Sequence, residues 1–168
     1  RKIYPRKLIE QHIAINDQFG DDPILISYSP LADHFAVYKR MVKDQLYLFG
    51  VSGYLYKNVD LLYDSKSESL WSQLDGKALV GSQIGAQLEK IGYIERITFK
   101  KAIEKYPDDL YMTYDTGFRL DYNSNPFGSY RLDNKIVEDV EFFSGLYPSK
   151  SNVYAFFIND NPFHLFID

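Results

Sequence analysis

Apolar residues recur at every second position between short turn signals along most of this chain, and that spacing limits it to mainly antiparallel sheet. Ile13 and Ile15, then Ile24 and Ile26, flank a Gly-Asp-Asp-Pro turn and read as a hairpin with one buried face. "HFAVYKRMVKDQLYLFGVSG" reads as a second pair of strands turning at "VKDQ", and "VDLLYDSKSESLWSQL" as a third turning at "SKSES". "KALVG", "GYIERI" and "LYMTYDTGF" read as further short strands, and "NVYAFFINDNPFHLFID" as a hairpin turning at Asn-Asp-Asn-Pro.

The period changes in one place. In "TFKKAIEKYPDD", Phe99, Ala102, Ile103 and Tyr106 fall at helical spacing, with Thr98 placed as N-cap and Pro107 as the stop. "PRKLIEQ" adds one or two helical turns after Pro5. The fold class expected is α+β: a predominantly antiparallel β-sheet or partial barrel with one or two short helices. A length of 168 residues fits a single domain over 1–168. The aromatic content of 17% agrees with a strand-rich chain, because flat rings pack on a half-buried pleated surface.

Charge and composition exclude several classes of function. The net charge of −4 is spread without a basic stripe, so nucleic acid is not an expected partner. Apolar runs such as "YAFF" and "LYLFGV" are strand length, so no membrane-spanning segment is expected. Cysteine is absent, which removes disulfides, thiolate nucleophiles and thiolate metal ligands. Three dispersed histidines do not make a tetrahedral shell, so no cofactor, no metal and no redox chemistry is expected. The start at "RKIYP" reads as a processed or trimmed beginning.

The candidate residues fall in a few clusters. Ser52 in "GVSG" resembles a nucleophile, but Gly53 follows it directly and strand surrounds it, so a bulge or close backbone approach at Gly50 and Gly53 is the expectation. Asp60 and Asp64 lie four apart on one strand face, where two carboxylates could split their proton affinities. His12 is the best general base, with an ordinary pKa near neutrality. Trp71 beside Ser72 and Gln73 offers an aromatic wall with a hydroxyl and an amide, which suits a small polar ligand. Asp115, Arg119 and Asp121 in "DTGFRLDY" are placed to form a buried fork of guanidinium and carboxylates.

Taken in order, "YP" with Leu8, the His12 and "IND" of "QHIAIND", "YSPLA", "FGVSG" with Tyr56 and Asn58 following, "LLYD", "ESLWSQLDGKAL", "YPD" and "DTGFRLDY" resemble the prokaryotic family known as domain of unknown function 3179. The resemblance covers nearly the whole chain. It implies an exported, cell-surface or periplasmic setting, and it marks positions without naming a reaction. The family's Tyr-Cys-Pro-Leu-Cys is here Tyr28 to Ala32, so its two cysteines are Ser29 and Ala32, and its usual Glu after the histidine is Ile13. This chain is therefore a member type that lacks the thiol pair.

Two functions are expected from different classes. One is a binding or interaction domain that takes a small polar ligand or a protein partner without turnover, through Ser29, Ser52, Tyr56, Trp71, Ser72, Gln73, Asp115 and Arg119. The alternative is an acid–base hydrolase in which His12 works with Asp60 or Asp64. If the signature marks a site, His12, Ser29, Ser52, Asp60, Trp71 and Gln73 should approach one another in space.

Overall fold

The computed structural model describes residues 1–141, 145–158 and 161–166, with side chains as far as residue 153. It forms two compact units, residues 1–126 and 127–168. In the second unit, β12 (Val153–Ile158) and β13 (Asn161–Phe166) pair antiparallel as the alternation requires. The turn expected at Asn-Asp-Asn-Pro falls in part on residues 159–160, outside the described residues.

The first unit is built on two antiparallel sheets. In one, β2 (Ala14–Phe19), β3 (Asp22–Ser29) and β4 (His34–Lys39) lie in chain order. Gly20, at φ 60, takes the first of two turn positions between β2 and β3, a conformation that costs glycine little. The other sheet runs β7 (Phe49–Tyr56), β8 (Val59–Asp64), β9 (Leu70–Ser72) and β10 (Ala78–Val80). Lys57 and Asn58, both left-handed at φ 53 and 59, make the two-residue turn that joins β7 to β8.

Pairing departs from the sequence expectation at one hairpin. The turn at "VKDQ" forms, with Lys43 and Asp44 at φ 48 and 60, but it joins only β5 (Met41–Val42) to β6 (Gln45–Leu46). The long strands on either side diverge: β4 pairs with β3 and β7 with β8. Buried Arg40 accounts for the divergence. Its guanidinium donates to the carbonyls of Ile24 at 2.8 Å, Tyr47 at 3.0 Å and Asp17 at 2.9 Å, so the chain turns around a side chain rather than continuing a ladder.

The sheets do not close into a barrel, but both gaps between them are bridged. On one side the Asn16 carboxamide donates to the Phe49 carbonyl at 2.7 Å and accepts from the Phe49 N–H at 2.9 Å, imitating a strand neighbour. On the other, residues 86–91 bond to both edges: Ala78 N–H to the Ala86 carbonyl, Lys39 N–H to Glu89 and Ile91 N–H to Val37. Inside lie Leu25, Ala36, Tyr38, Val42, Tyr47, Phe49, Leu62, Trp71, Ala78 and Leu88, each large apolar side chain contributing about 1.5–3 kcal/mol. The outer face of β3 is covered by α1 (Arg6–His12), through Leu8 and Ile9.

One expected strand is absent and another is reduced to two residues. "GYIERI" is irregular, because Gly92 at φ 65 turns the chain away after the last bond at Ile91 and leaves Tyr93 88% exposed. "LYMTYDTGF" contributes only β11 (Leu110–Tyr111), which pairs parallel to β1 (Lys2–Ile3). The expected helix forms as α2 (Phe99–Lys105), with Thr98 Oγ1 accepting from the Lys101 N–H.

Candidate functional site

Alternation along β3 sends Leu25, Ser27 and Ser29 to the inner face, and their cross-strand partners on β4 are Tyr38, Ala36 and His34. Leu25, Ala36 and Tyr38 join the apolar core, so the other end of the same face is polar: Ser27, Ser29 and His34. Two side chains of the second sheet complete this end. Asp60 of β8 accepts a hydrogen bond from Ser29 Oγ at 3.1 Å, across the interior. Gln73 follows β9 directly and is fully buried.

Gln73 is held by its backbone. Tyr38 Oη donates to its carbonyl at 2.8 Å, and the His34 imidazole faces the main chain of Gln73 and Leu74. Tyr38 and His34 flank Ala36 on β4, so the pair that reaches Gln73 brackets the two small residues Ala36 and Ser27. Within this bracket, Ser27 Oγ, His34 Nε2 and both the Oε1 and Nε2 atoms of Gln73 are buried without a hydrogen-bond partner among the described residues. Leaving such a group unpaired costs about 1–3 kcal/mol, so the Gln73 carboxamide, unpaired at both ends, requires an explanation. A fifth such atom, Gln83 Oε1, belongs to the turn beside Ser69.

The electrostatics of the cluster favour neutral groups. Burial raises the Asp60 carboxyl above its ordinary value, against the pull of the Ser29 hydroxyl and of its own N–H. Burial lowers His34, with nearby Lys90 adding to the effect. Asp60 and His34 are half-buried and mark the side on which solvent reaches the cluster. Beside Asp60, β7 bulges: Val51 pairs with Leu62 and Leu55 with Asp60, so residues 52–54 oppose Leu61 alone.

That bulge settles the structural part played by Ser52. Its Oγ donates to the Leu61 carbonyl at 2.7 Å and accepts from the Tyr54 N–H, while Gly53 sits at φ 79. Gly50 is the close approach, since a Cβ there would lie 2.6 Å from the Tyr63 ring. Tyr56 is exposed on the same strand, with the Lys57 ammonium 5.5 Å from its ring centre.

Asp60 and Asp64 share a strand face, as alternation requires, but have different surroundings. Asp64 is fully buried and accepts from Ser67 N–H and Oγ at 2.6 Å each, Lys66 N–H at 3.0 Å and Trp71 Nε1 at 2.9 Å. Burial alone would raise its carboxyl, and these bonds outweigh burial and hold it below the ordinary value. Trp71 is correspondingly a core residue, packed edge-on against Phe49 with ring centres 5.7 Å apart. Ser72 Oγ accepts from the Leu74 N–H in the turn.

His12 ends α1, one residue before Ile13, whose carbonyl accepts from the Tyr28 N–H next to Ser29. Its Nε2 lies 2.8 Å from Tyr122 Oη, which in turn is 2.6 Å from Thr116 Oγ1, and the Phe118 ring stands edge-on to it. Burial lowers its pKa. Its bonded partner is thus a tyrosine, with neither Asp60 nor Asp64 in contact by a hydrogen bond. Ile13 itself sits at φ 59, a left-handed conformation that costs a β-branched residue about 1–3 kcal/mol.

The fork expected at "DTGFRLDY" is not buried. Asp115, Arg119 and Asp121 are all exposed, and Asp121 caps its own turn by accepting from the Asn123 N–H at 3.0 Å. The physical reason is that the segment lies on the surface, where Gln11 Nε2 straps it to α1 through the carbonyls of Asp121 and Ser124.

Of the expected convergent set, Ser29, Asp60 and Gln73 therefore belong to one buried polar cluster, Ser52 lies in the bulge beside it, and Trp71 is in the adjoining core. Sequence reasoning missed Ser27 and His34. The signal for Ser27 was its two-residue spacing from Ser29, which puts both on one face. His34 enters the sequence reading only as one of three dispersed histidines that make no metal shell.

A surface depression of about 530 Å³ lies elsewhere, lined by Glu95, Arg96, Ile97, Thr98, Lys101, Glu104 and Lys105. It contains none of the unpaired polar atoms; Lys105 pairs with Glu95 at 2.7 Å within it, and Arg96 pairs with Asp33 at 3.0 Å. Among the described residues, no group of three or more His, Asp or Glu is placed to hold a metal ion, and no helix is long and apolar enough to cross a membrane.

No curated protein and no solved structure matches the chain. A family model does: residues 1–164 match the one described as Protein of unknown function (DUF3179). The motif positions that carry the resemblance include Asn16, which bridges the two sheets, Asp64 in its turn beside Trp71, and buried Gln73, whereas Ser29 stands where the family has cysteine. With the match covering nearly its whole length, the chain belongs to the DUF3179 family.

Proposed function

We propose that this domain binds a small polar ligand without turning it over, at the polar end of its interior. The observation that carries this reading is the set of buried, unpaired polar atoms on Ser27, His34 and Gln73 beside the Ser29–Asp60 pair. A fold optimised only for packing would pair these atoms or replace them with apolar groups. His12 gives these atoms no general base, because its ring bonds to Tyr122.

Saturation-transfer NMR with a mixture of small neutral and charged polar compounds tests the reading. Transfer to a neutral member, lost in an Asp60→Leu variant and with the compound recovered unchanged after prolonged incubation, is the expected result. Failure of every compound to take up saturation counts against it. One observation favours a second reading, acid–base hydrolysis: Asp60 is held above its ordinary value next to a serine hydroxyl. Conversion of a bound compound, with a rate that falls as Asp60 loses its proton, would establish that reading in place of simple binding.

The resemblance also supports an exported, prokaryotic setting for the domain. Fractionation of cells expressing the protein from its own gene tests this, and recovery of the domain wholly in the cytosol would overturn it.

A further inference from the structure

The Gln73 carboxamide is the most demanding member of the cluster. It is fully buried, its backbone carbonyl is fixed by Tyr38, and both ends of its side chain are unpaired among the described residues. A planar group with an acceptor and a donor side by side is completed by one other chemistry: a planar edge that offers a donor and an acceptor on the same side. Primary carboxamides and lactams have that edge. A trans secondary amide has its N–H and C=O on opposite sides, and a polyol has no plane.

Charge narrows the choice further. An ion placed against Gln73 and Ser27 would be desolvated with no buried countercharge to pair with it. The titratable groups facing the cluster are Asp60 on β8 and His34 on β4, with Lys90 approaching His34 from an exposed position. Burial pushes both Asp60 and His34 toward their neutral forms. Ser27 Oγ, which donates and accepts, lies on the same inner face and satisfies a neutral partner of either polarity.

We infer that the ligand of this site is a neutral molecule bearing a primary carboxamide or lactam edge, which pairs in plane with Gln73 and takes its third contact from Ser27. This rests on the binding reading above and names the ligand class within it.

The test is a titration of the nitrogen-15-labelled domain, following the Gln73 side-chain NH2 and the Trp71 indole N–H. The probes are acetamide, 2-pyrrolidinone, N-methylacetamide, glycerol and sodium acetate. Saturable shifts are expected with acetamide and 2-pyrrolidinone, with N-methylacetamide weaker by about tenfold or more because one buried amide atom stays unpaired. Gln73→Met should lose the response to the amides while keeping or raising the thermal midpoint, since it removes two unpaired polar atoms at similar volume. Shifts from glycerol with the amides silent would overturn the amide inference and leave the binding reading standing. Equal responses to acetamide and N-methylacetamide would overturn the edge argument alone. Silence from every probe, with a water resonance contacting the Gln73 amide, would mean a resident water only and would overturn both.

Discussion

Replacing Asp64 by alanine is expected to cost about 3–5 kcal/mol and to change the emission of Trp71, the only tryptophan in the chain. The carboxylate is fully buried and accepts four hydrogen bonds, from two backbone N–H groups of the turn, the Ser67 hydroxyl and the Trp71 indole. Alanine leaves those donors unpaired and also releases the ring that packs on Phe49. Urea unfolding followed by Trp71 fluorescence measures the effect, and a loss below about 1 kcal/mol would show that the turn holds without its acceptor.

The same residue sets the sign of part of the acid response. Its carboxyl titrates below the ordinary aspartate value of 3.8 in the folded chain, so the unfolded chain takes up the proton first as pH falls. Its contribution is full above that ordinary value and is lost as pH drops through the folded one. His12 and His34, both lowered by burial, add a loss that begins higher, as pH falls through their ordinary value of 6.5. Asp60 is raised and acts in the opposite direction: its contribution is present below 3.8 and disappears as pH rises through its folded value. In Asp64→Ala the most acidic limb of the stability curve should flatten while the histidine limb remains. A variant whose most acidic limb kept the wild-type slope would assign that limb to other carboxylates.

Arg40→Met is expected to destabilise the first unit by a similar amount, about 3–5 kcal/mol. Each arm of the guanidinium donates to a different carbonyl, from β2, β3 and the segment between β6 and β7. Methionine keeps much of the volume but strands three buried acceptors. Burial already lowers the Arg40 pKa, with Asp17 opposing, so the charge is retained at a cost that the three carbonyls offset. Arg40→Lys should recover little of the loss, because one ammonium cannot span three divergent carbonyls as a planar fork does. The check is the urea midpoint of the three proteins, and a lysine variant equal to the wild type would mean that charge alone suffices.

These two side chains also show where the sequence stops being informative. Asp64 is followed within three residues by Ser67 and a turn, so a local capping role was readable from "DSKS". Arg40 gave no such signal: its partners lie as far as 23 residues away and are backbone atoms, which look alike in every residue. Likewise Asp60 and Asp64 occupy equivalent places in the alternation, yet one is saturated by its own turn while the other meets Ser29 from a different sheet, 31 residues distant.

The sequence by itself determined the α+β class, the α2 helix with its Thr98 cap, the turns at 20–21 and 43–44, and the family. Each of these depends on periodicity, on a few adjacent residues or on an ordered signature. Only the tertiary structure decided which strands pair, that residues 86–91 serve both sheet edges, and that Ser27 and His34 join Ser29, Asp60 and Gln73 at one end of the interior. Alternation states which face a side chain takes and says nothing of what lies across from it. The opposite wall is supplied by chain tens of residues away, and its position follows from how the two sheets pack on the Trp71 core.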